Sequence, residues 1–157
     1  MEVNNLVLIS SDNQKMEIDF ESAQKSHFLK GVIEENHSKD PISLPDIKST
    51  ILKKVIEYLQ YYKDKTPKEI PKPLPTGNLN EFLDEWDINF INGIELDSVF
   101  DLINAANYMD ITSLLDLSCA KIASLLKGKT APEIRTMFNI ECDLTDDELK
   151  EYEEFQI

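Results

Sequence analysis

The sequence has few of the residues that metal sites and disulfide bridges need. Its 157 residues include two cysteines, Cys119 and Cys142, and two histidines, His27 and His37, and neither pair has the spacing of metal ligands. A disulfide would be unusual in a reducing compartment. Cys119 lies within an apolar helical stripe, which predicts an inert thiol in the core. Both histidines are expected at the surface.

Long hydrophobic runs and positive charge are also scarce. No stretch is long and apolar enough to span a membrane, and the first residues lack the features of a secretion signal, so we expect a cytoplasmic and nuclear protein. Asp and Glu outnumber Lys and Arg by 30 to 16, and this net charge of −14 argues against binding to nucleic acid. Half of the excess lies in residues 141–157, which form either a solvated helix end or a surface that steers a basic partner.

The usual signatures of an enzyme are missing. Gly128-Lys129-Thr130 resembles the end of a phosphate-binding loop, but that motif needs a glycine where this chain has Ala123, within a leucine-rich helix. No serine has the setting of a nucleophile elbow, and pairs of carboxylates carry little information in so acidic a chain. We therefore expect no catalysis and no cofactor.

The N-terminal part alternates in the manner of a half-buried sheet. Apolar and acidic residues alternate from Met16 to Phe20, and Ser11 to Gln14 suit a tight hairpin turn. Pro45 ends a third short strand, and a helix is predicted over residues 22–34 with Ser22 as its cap. The predicted strands cover residues 6–9, 16–20 and 42–45.

Helical patterns fill most of the remaining chain. A helix from Ser49, with Asp46 as a candidate cap, has one broad apolar face. Four prolines then predict a poorly ordered excursion over residues 65–84. After residue 79 the pattern is helical again, with a stop at Gly128 and a capping box at Thr130 and its partner Glu133. A last helix begins at Thr145, with Glu148 three residues on.

The C-terminal helices carry more apolar side chains than short helices easily bury. About half of them are expected to close a core, and the others predict an exposed groove that binds a partner helix. The chain is thus an α/β N-terminal half followed by several short helices.

Several blocks of sequence resemble the S-phase-kinase-associated adaptor family, the small subunits of SCF-type cullin–RING ubiquitin ligases. The similarity runs from about Val3 to about Phe155 outside the proline-rich segment. Its blocks are VLISSDNQKMEID, LPDIKSTILKKVIEYLQYYKD, WDINFI, FDLINAANYMDITSLLDLSCAKIASLLKGKT and APEIRTMFNIECDLTDDE. It implies a POZ/BTB-like α/β fold with a short three-stranded sheet, formed by residues 1–64 and 85–128, and a helical extension over residues 129–157.

The resemblance also implies the partners. Asn107 and Tyr108 match the family's contact with the N-terminal domain of a cullin, and a tyrosine at a helix corner is a suitable interface anchor. Related adaptors can form homodimers when no partner is bound. Family members commonly end in a tryptophan-containing tail, which Phe155 could only partly replace. The implied binding site for F-box proteins comprises Val99, Phe100, Ile103, Ile122, Leu126, Ile134, Met137, Phe138 and Ile140.

Two other functions remain open at this point. A POZ-like subunit could hold an F-box protein in a non-ligase assembly, in which case it would bind no cullin. A small enzyme with an unrecognised acidic site would show a polar pocket with converging carboxylates, where the adaptor reading predicts an apolar groove.

Overall fold

A computed structural model describes residues 5–35 and 40–154, with side chains as far as residue 151. The expectations for His37 and Phe155 therefore lie outside the described residues. The elements, in order, are β1 (Asn5–Ile9), β2 (Lys15–Asp19), α1 (Phe20–Ala23), α2 (His27–Glu35), β3 (Ile42–Ser43), α3 (Ser49–Tyr61), a 3-10 turn (Leu79–Glu81), α4 (Glu85–Asn92), α5 (Leu96–Tyr108), α6 (Thr112–Leu126), α7 (Ala131–Met137) and α8 (Asp146–Glu154).

The three strands form one sheet with β1 in the centre. β2 pairs with β1 in antiparallel register, Leu8 opposite Met16, and β3 pairs in parallel, Leu8 opposite Ile42. The predicted hairpin and α/β class are confirmed, and Ile18 is buried as the alternation required. The second strand ends one residue earlier than predicted, because Phe20 already begins α1.

The predicted helix over residues 22–34 is two helices. The Asp19 carboxylate accepts hydrogen bonds from the Ser22 amide at 3.0 Å and hydroxyl at 2.7 Å, so Asp19 is the cap and Ser22 lies inside α1. The chain breaks before α2 because the buried Ser26 hydroxyl donates to the carbonyl of Met109 and accepts from the Leu29 amide. That tertiary contact leaves no mark on the local pattern.

The cap of α3 comes from the hairpin, not from the preceding loop. Asp46 was the predicted cap, but the Asp12 carboxylate accepts hydrogen bonds from the Ser49 amide at 2.8 Å and hydroxyl at 2.6 Å. These bonds, together with one from Ser10, lower the pKa of Asp12 from 3.8 to about 2. The turn between β1 and β2 is thereby tied to the first turn of α3.

Replacing Asp12 with alanine is expected to lower the melting temperature at pH 7, because the α3 amide loses its acceptor. The folded-state pKa of Asp12 lies below its unfolded value of 3.8, so the stabilisation is present above that value and is lost as the pH falls toward 2. Melting curves at several pH values should show the difference from the wild type shrinking over this range. Asp46→Ala is the matched control and should change little; an equal loss in both variants would contradict the assignment.

The core lies between the sheet, α3, α5 and α6. The apolar face predicted for the α3 segment is buried throughout; α5 packs against α3, and α6 packs against α5. Burial of such side chains is the main stabilising term of the fold. The buried residues of this α3 face are Ile51, Leu52, Val55, Ile56, Leu59 and Tyr62.

One buried carboxylate joins α3 to α4. Both oxygens of Asp87 lie within hydrogen-bonding distance of the Tyr62 hydroxyl, at 2.6 and 2.7 Å. Burial raises the pKa of Asp87, and the Tyr62 hydroxyl opposes that rise by donating to the charged form. The Trp86 ring stacks on Tyr61 beside this pair, with centroids 3.7 Å apart.

Replacing Tyr62 with phenylalanine should destabilise the protein by about 2–3 kcal/mol at pH 7, because a buried carboxylate loses its donor. The loss should be smaller near pH 4, where the unpaired Asp87 is more readily protonated and a neutral carboxyl is easier to bury. Urea unfolding at both pH values measures this. Tyr61→Phe, which keeps the stacked ring, is the control. A loss independent of pH would show that Asp87 is not the cause.

The proline-rich segment is irregular, as predicted, but it is not a detached excursion. Ile70, Leu79 and Leu83 are buried. Lys72 Nζ lies 2.6 Å from an Asp116 carboxylate oxygen on α6, and Lys127 Nζ donates to the carbonyl of Leu74 at 2.8 Å. The sequence did not predict these contacts, because proline spacing reports on regular structure and not on packing.

Candidate partner-binding surfaces

The corner between α5 and α6 is closed by a Schellman motif. α5 ends at Tyr108, and Asp110 adopts a left-handed conformation with φ 49°. The Ile111 amide donates to the carbonyl of Ala106 at 2.9 Å, and the Asp110 amide donates to that of Asn107 at 3.2 Å. Asp110 thus fills the position that glycine commonly takes.

The start of α2 is docked on this corner through the backbone. The amides of His27 and Phe28 donate to the carbonyls of Asp110 and Met109, at 3.2 and 3.3 Å. The free amides of one helix end therefore pair with the free carbonyls of the other. With the Ser26 hydroxyl also bonded to Met109, the corner is held firmly in place.

Both residues predicted at the cullin contact are exposed at the corner. Asn107 is exposed, and Tyr108 keeps 44% of its accessible surface. The Tyr108 ring packs against the Phe28 ring, with the ring centroids 5.1 Å apart and the ring planes tilted by 48°. His27 Nδ1 lies 3.3 Å from an Asp110 carboxylate oxygen beside them. The sequence identified Phe28 only as an apolar mark of a helix, because nothing local links it to Tyr108.

A second exposed apolar region lies where α5 meets α7. Phe100 keeps 41% of its accessible surface and meets Phe138 edge to face, with centroids 5.6 Å apart. Asn139, with φ 52°, closes another Schellman motif in which the Ile140 amide donates to the carbonyl of Arg135 at 2.8 Å. Ile140 follows this turn and is 55% exposed.

The remaining residues predicted for F-box binding divide into two groups. Val99 has no accessible surface and packs in the core, so it is not available to a partner, and its place in the predicted site is corrected. α5 is apolar on more than one side, and the pattern alone did not separate these sides. Six of the predicted residues are half-buried: Ile103, Ile122, Leu126, Ile134, Met137 and Phe138. These six, with Phe100 and Ile140, are called the α5–α7 surface below.

Helix α6 is apolar on two faces. Leu114 and Leu117 point into the core, whereas Ile122 and Leu126 are only half-buried. The prediction of a core thiol was wrong, since Cys119 is exposed. Its apolar stripe is the half-buried face of α6 and not the buried one. Desolvation and the neighbouring Asp116 raise the pKa of the Cys119 thiol, which disfavours the reactive thiolate.

The C-terminal helices are set by local capping. Gly128, at φ 75°, ends α6 as predicted. The capping box of α7 is confirmed, with the Thr130 amide donating to the Glu133 carboxylate at 2.7 Å. Thr145 and Glu148 form the same pair at the start of α8, at 2.8 Å. α7 has no fully buried residue of its own, so its apolar side is only partly covered.

The described residues offer little to a small ligand. They include no group of three or more His, Cys, Asp or Glu side chains placed to hold a metal ion. Asp46 and Asp101 do line one cavity together, with Lys48 and Asn104, but its volume is about 70 Å³. Sites for small molecules commonly measure about 300–1,000 Å³. Two other pockets, one beside Asp116 and one at the start of α7, reach about 410 and 390 Å³, but both open widely to solvent. Within the same residues, no helix combines the length and hydrophobicity that crossing a bilayer requires.

Comparisons with known proteins identify the family of this chain. The model of the Skp1 family tetramerisation domain matches residues 4–64, and that of the Skp1 family dimerisation domain matches residues 112–154. The "S-phase kinase-associated protein 1 homolog" of Tetrahymena thermophila is 48% identical over 141 residues, which are 90% of this chain and 85% of that protein.

More distant relatives are similar over the same extent. "SKP1-like protein 12" of Arabidopsis thaliana is 40% identical over 91% of this chain and 88% of its own length. The "E3 ubiquitin ligase complex SCF subunit sconC" of Arthroderma benhamiae is 36% identical over 92% of this chain and 88% of its own length. The chain therefore belongs to the Skp1 family and has that family's POZ/BTB-like α/β fold.

Proposed function

We propose that the protein is the adaptor subunit of an SCF-type E3 ubiquitin ligase and bridges the N-terminal domain of a cullin to F-box substrate receptors. Family membership supports this role, since a relative that is 36% identical over almost the whole chain is named as an SCF subunit. The role is one of binding, without catalysis or a cofactor. We place the protein in the cytoplasm and the nucleus.

The α5–α7 surface is the proposed binding site for F-box proteins. Phe100 and Ile140 are among the few large apolar side chains that are exposed in the described part of the chain, and Phe100 contacts Phe138, two residues before Ile140. Apolar side chains clustered at a helix junction suit the apolar face of a partner helix. In the absence of an F-box protein, two copies of the chain could cover the same surfaces, and we propose a homodimer for that state.

The corner at Asn107 and Tyr108 is the proposed cullin-binding site. Tyr108 offers a large rigid area with a hydroxyl at its rim, and its backbone is fixed by the docked start of α2. An anchor of this kind loses little conformational freedom when a partner binds.

Helix α5 contributes residues to both proposed sites, and this observation is the main support for the proposal. Phe100 lies near the start of α5 and Tyr108 is its last residue. Eight residues of helix separate them by about 12 Å along the axis. Because the core side of α5 is buried, the two exposed aromatic residues hold a fixed relation, which is what a bridge between two proteins needs.

The proposed function is tested by a reconstituted ubiquitin-transfer reaction. A cullin–RING complex, its E2 enzyme, an F-box receptor and a receptor substrate are combined with and without the protein. Ubiquitin should reach the substrate only when the protein is present. Binding of the F-box receptor without any cullin binding or transfer would contradict the ligase role.

A further inference from the structure

Phe28 and Tyr108 form one aromatic pair on two different elements. Both rings remain partly accessible, and Phe28 is half-buried at the start of α2. The backbone bonds between α2 and the corner, together with the Ser26 hydroxyl, fix the distance between the two elements. Phe28 therefore limits the directions in which the Tyr108 ring can point.

Gly31 follows Phe28 on the same side of α2, since residues three apart are neighbours on a helix. Glycine is among the poorest helix formers, yet Gly31 lies within the helix. A Cβ atom added to it would meet nothing within 4 Å, and it has no left-handed backbone conformation that would require glycine. Nothing in the described residues explains this glycine. A flat helix surface beside an exposed aromatic pair suits a partner that approaches closely.

The charge of this region differs from that of the whole chain. Residues 22–33 contain no acidic side chain, although the chain has a net charge of −14, and Glu34 and Glu35 then end α2. Lys25, His27 and Lys30 are exposed there, and Asp110 stands beside His27. Lys25 and Lys30 complement carboxylates of a partner segment whose apolar side chain meets Phe28.

We propose that the cullin-binding surface continues from Tyr108 across Phe28 to Gly31. Phe28 is a positioning residue for Tyr108, and Gly31 leaves room for a helix of the cullin N-terminal domain. That cullin segment carries an apolar side chain flanked by acidic groups. The proposal rests on the proposed function, and it adds α2 to the cullin-binding site.

Four variants of the protein test this surface by titration with a cullin N-terminal fragment. Phe28→Ala should weaken cullin binding by about tenfold, as expected when a support of an anchor is removed. Phe28→Tyr should restore the affinity, and Phe28→Leu should not, because the ring is what orients Tyr108. Gly31→Ala should raise the melting temperature, since alanine favours helix, and should still weaken cullin binding by about fivefold or more.

Binding to an F-box segment should be unchanged in every variant, and Asn89→Ala, at an exposed position of α4 outside the proposed surface, should leave cullin binding intact. Wild-type affinity in Gly31→Ala and Phe28→Ala, with binding lost in Tyr108→Ala, would overturn the extended surface and leave the proposed function standing. A wild-type protein that binds no cullin fragment would overturn both. The opposite effects of Gly31→Ala on stability and on binding separate this result from a folding defect.

Discussion

Replacing Phe100 with aspartate is expected to abolish binding of an F-box segment and to leave cullin binding unchanged. Phe100 is 41% exposed and contacts Phe138, the residue that follows α7, so a bound F-box segment would desolvate the new carboxylate. Central aromatic residues dominate such interfaces, and the loss should reach about 100-fold or more. Titration calorimetry with an F-box segment and with a cullin fragment measures both affinities on the same preparation.

The control for this variant is Gln60→Asp, which adds the same charge at an exposed position of α3. It should bind the F-box segment as the wild type does. The folded state should survive in Phe100→Asp, because the exposed ring contributes less to the core than its buried neighbour Val99. Equal loss of F-box and cullin binding would mean that α5 itself is disturbed, and unchanged F-box binding would remove the α5–α7 surface from the proposal.

The double replacement Asn107→Ala with Tyr108→Ala is expected to have the complementary effect. Cullin affinity should fall by about 100-fold, because the exposed ring is the largest side chain at the corner. F-box affinity should stay at its wild-type value, since Phe100, the exposed α5 residue of the α5–α7 surface, lies about 12 Å away along the helix. The same two titrations, together with a melting curve, make the comparison.

Asn89→Ala, at an exposed position of α4, is the matched control and should leave both affinities intact. The Schellman motif of the corner uses only backbone atoms, so the double variant should fold normally. A double variant with full cullin affinity would show that the corner is not the contact. A double variant that also loses F-box binding would contradict the independence of the two sites.

The features that the sequence predicted well are local ones. The hairpin, the stop at Gly128 and the capping box at Thr130 depend on residues a few positions apart, and the structure confirms all three. The resemblance to the Skp1 family was equally accessible, because several ordered blocks of sequence carry it.

The features that the sequence did not predict depend on contacts between residues far apart in the chain. Asp12 caps a helix that begins 37 residues later, and Ser26 bonds to a carbonyl 83 residues away. Neither contact leaves a periodic signal. The Phe28–Tyr108 pair belongs to the same class, since it joins α2 to the end of α5.

Periodicity also could not decide which side of a helix faces inward. α5 and α6 are each apolar on more than one side, as expected of helices that serve a core and a surface together. The apolar stripe therefore placed Cys119 in the core, although it is exposed. The resemblance placed Val99 in the F-box site, although it is buried. Only the packing of neighbouring helices resolves such cases.

The most direct test of the bridging role is to measure the molar mass of the complexes that form when the protein and both partners are mixed. The protein, an F-box segment and a cullin N-terminal fragment are combined at equal concentrations, and the complexes are measured by size-exclusion chromatography with light scattering. Separate sites at the two ends of α5 predict one species that contains one copy of each chain. If the F-box segment and the cullin fragment displaced each other, so that only two-chain complexes formed, the account would be contradicted.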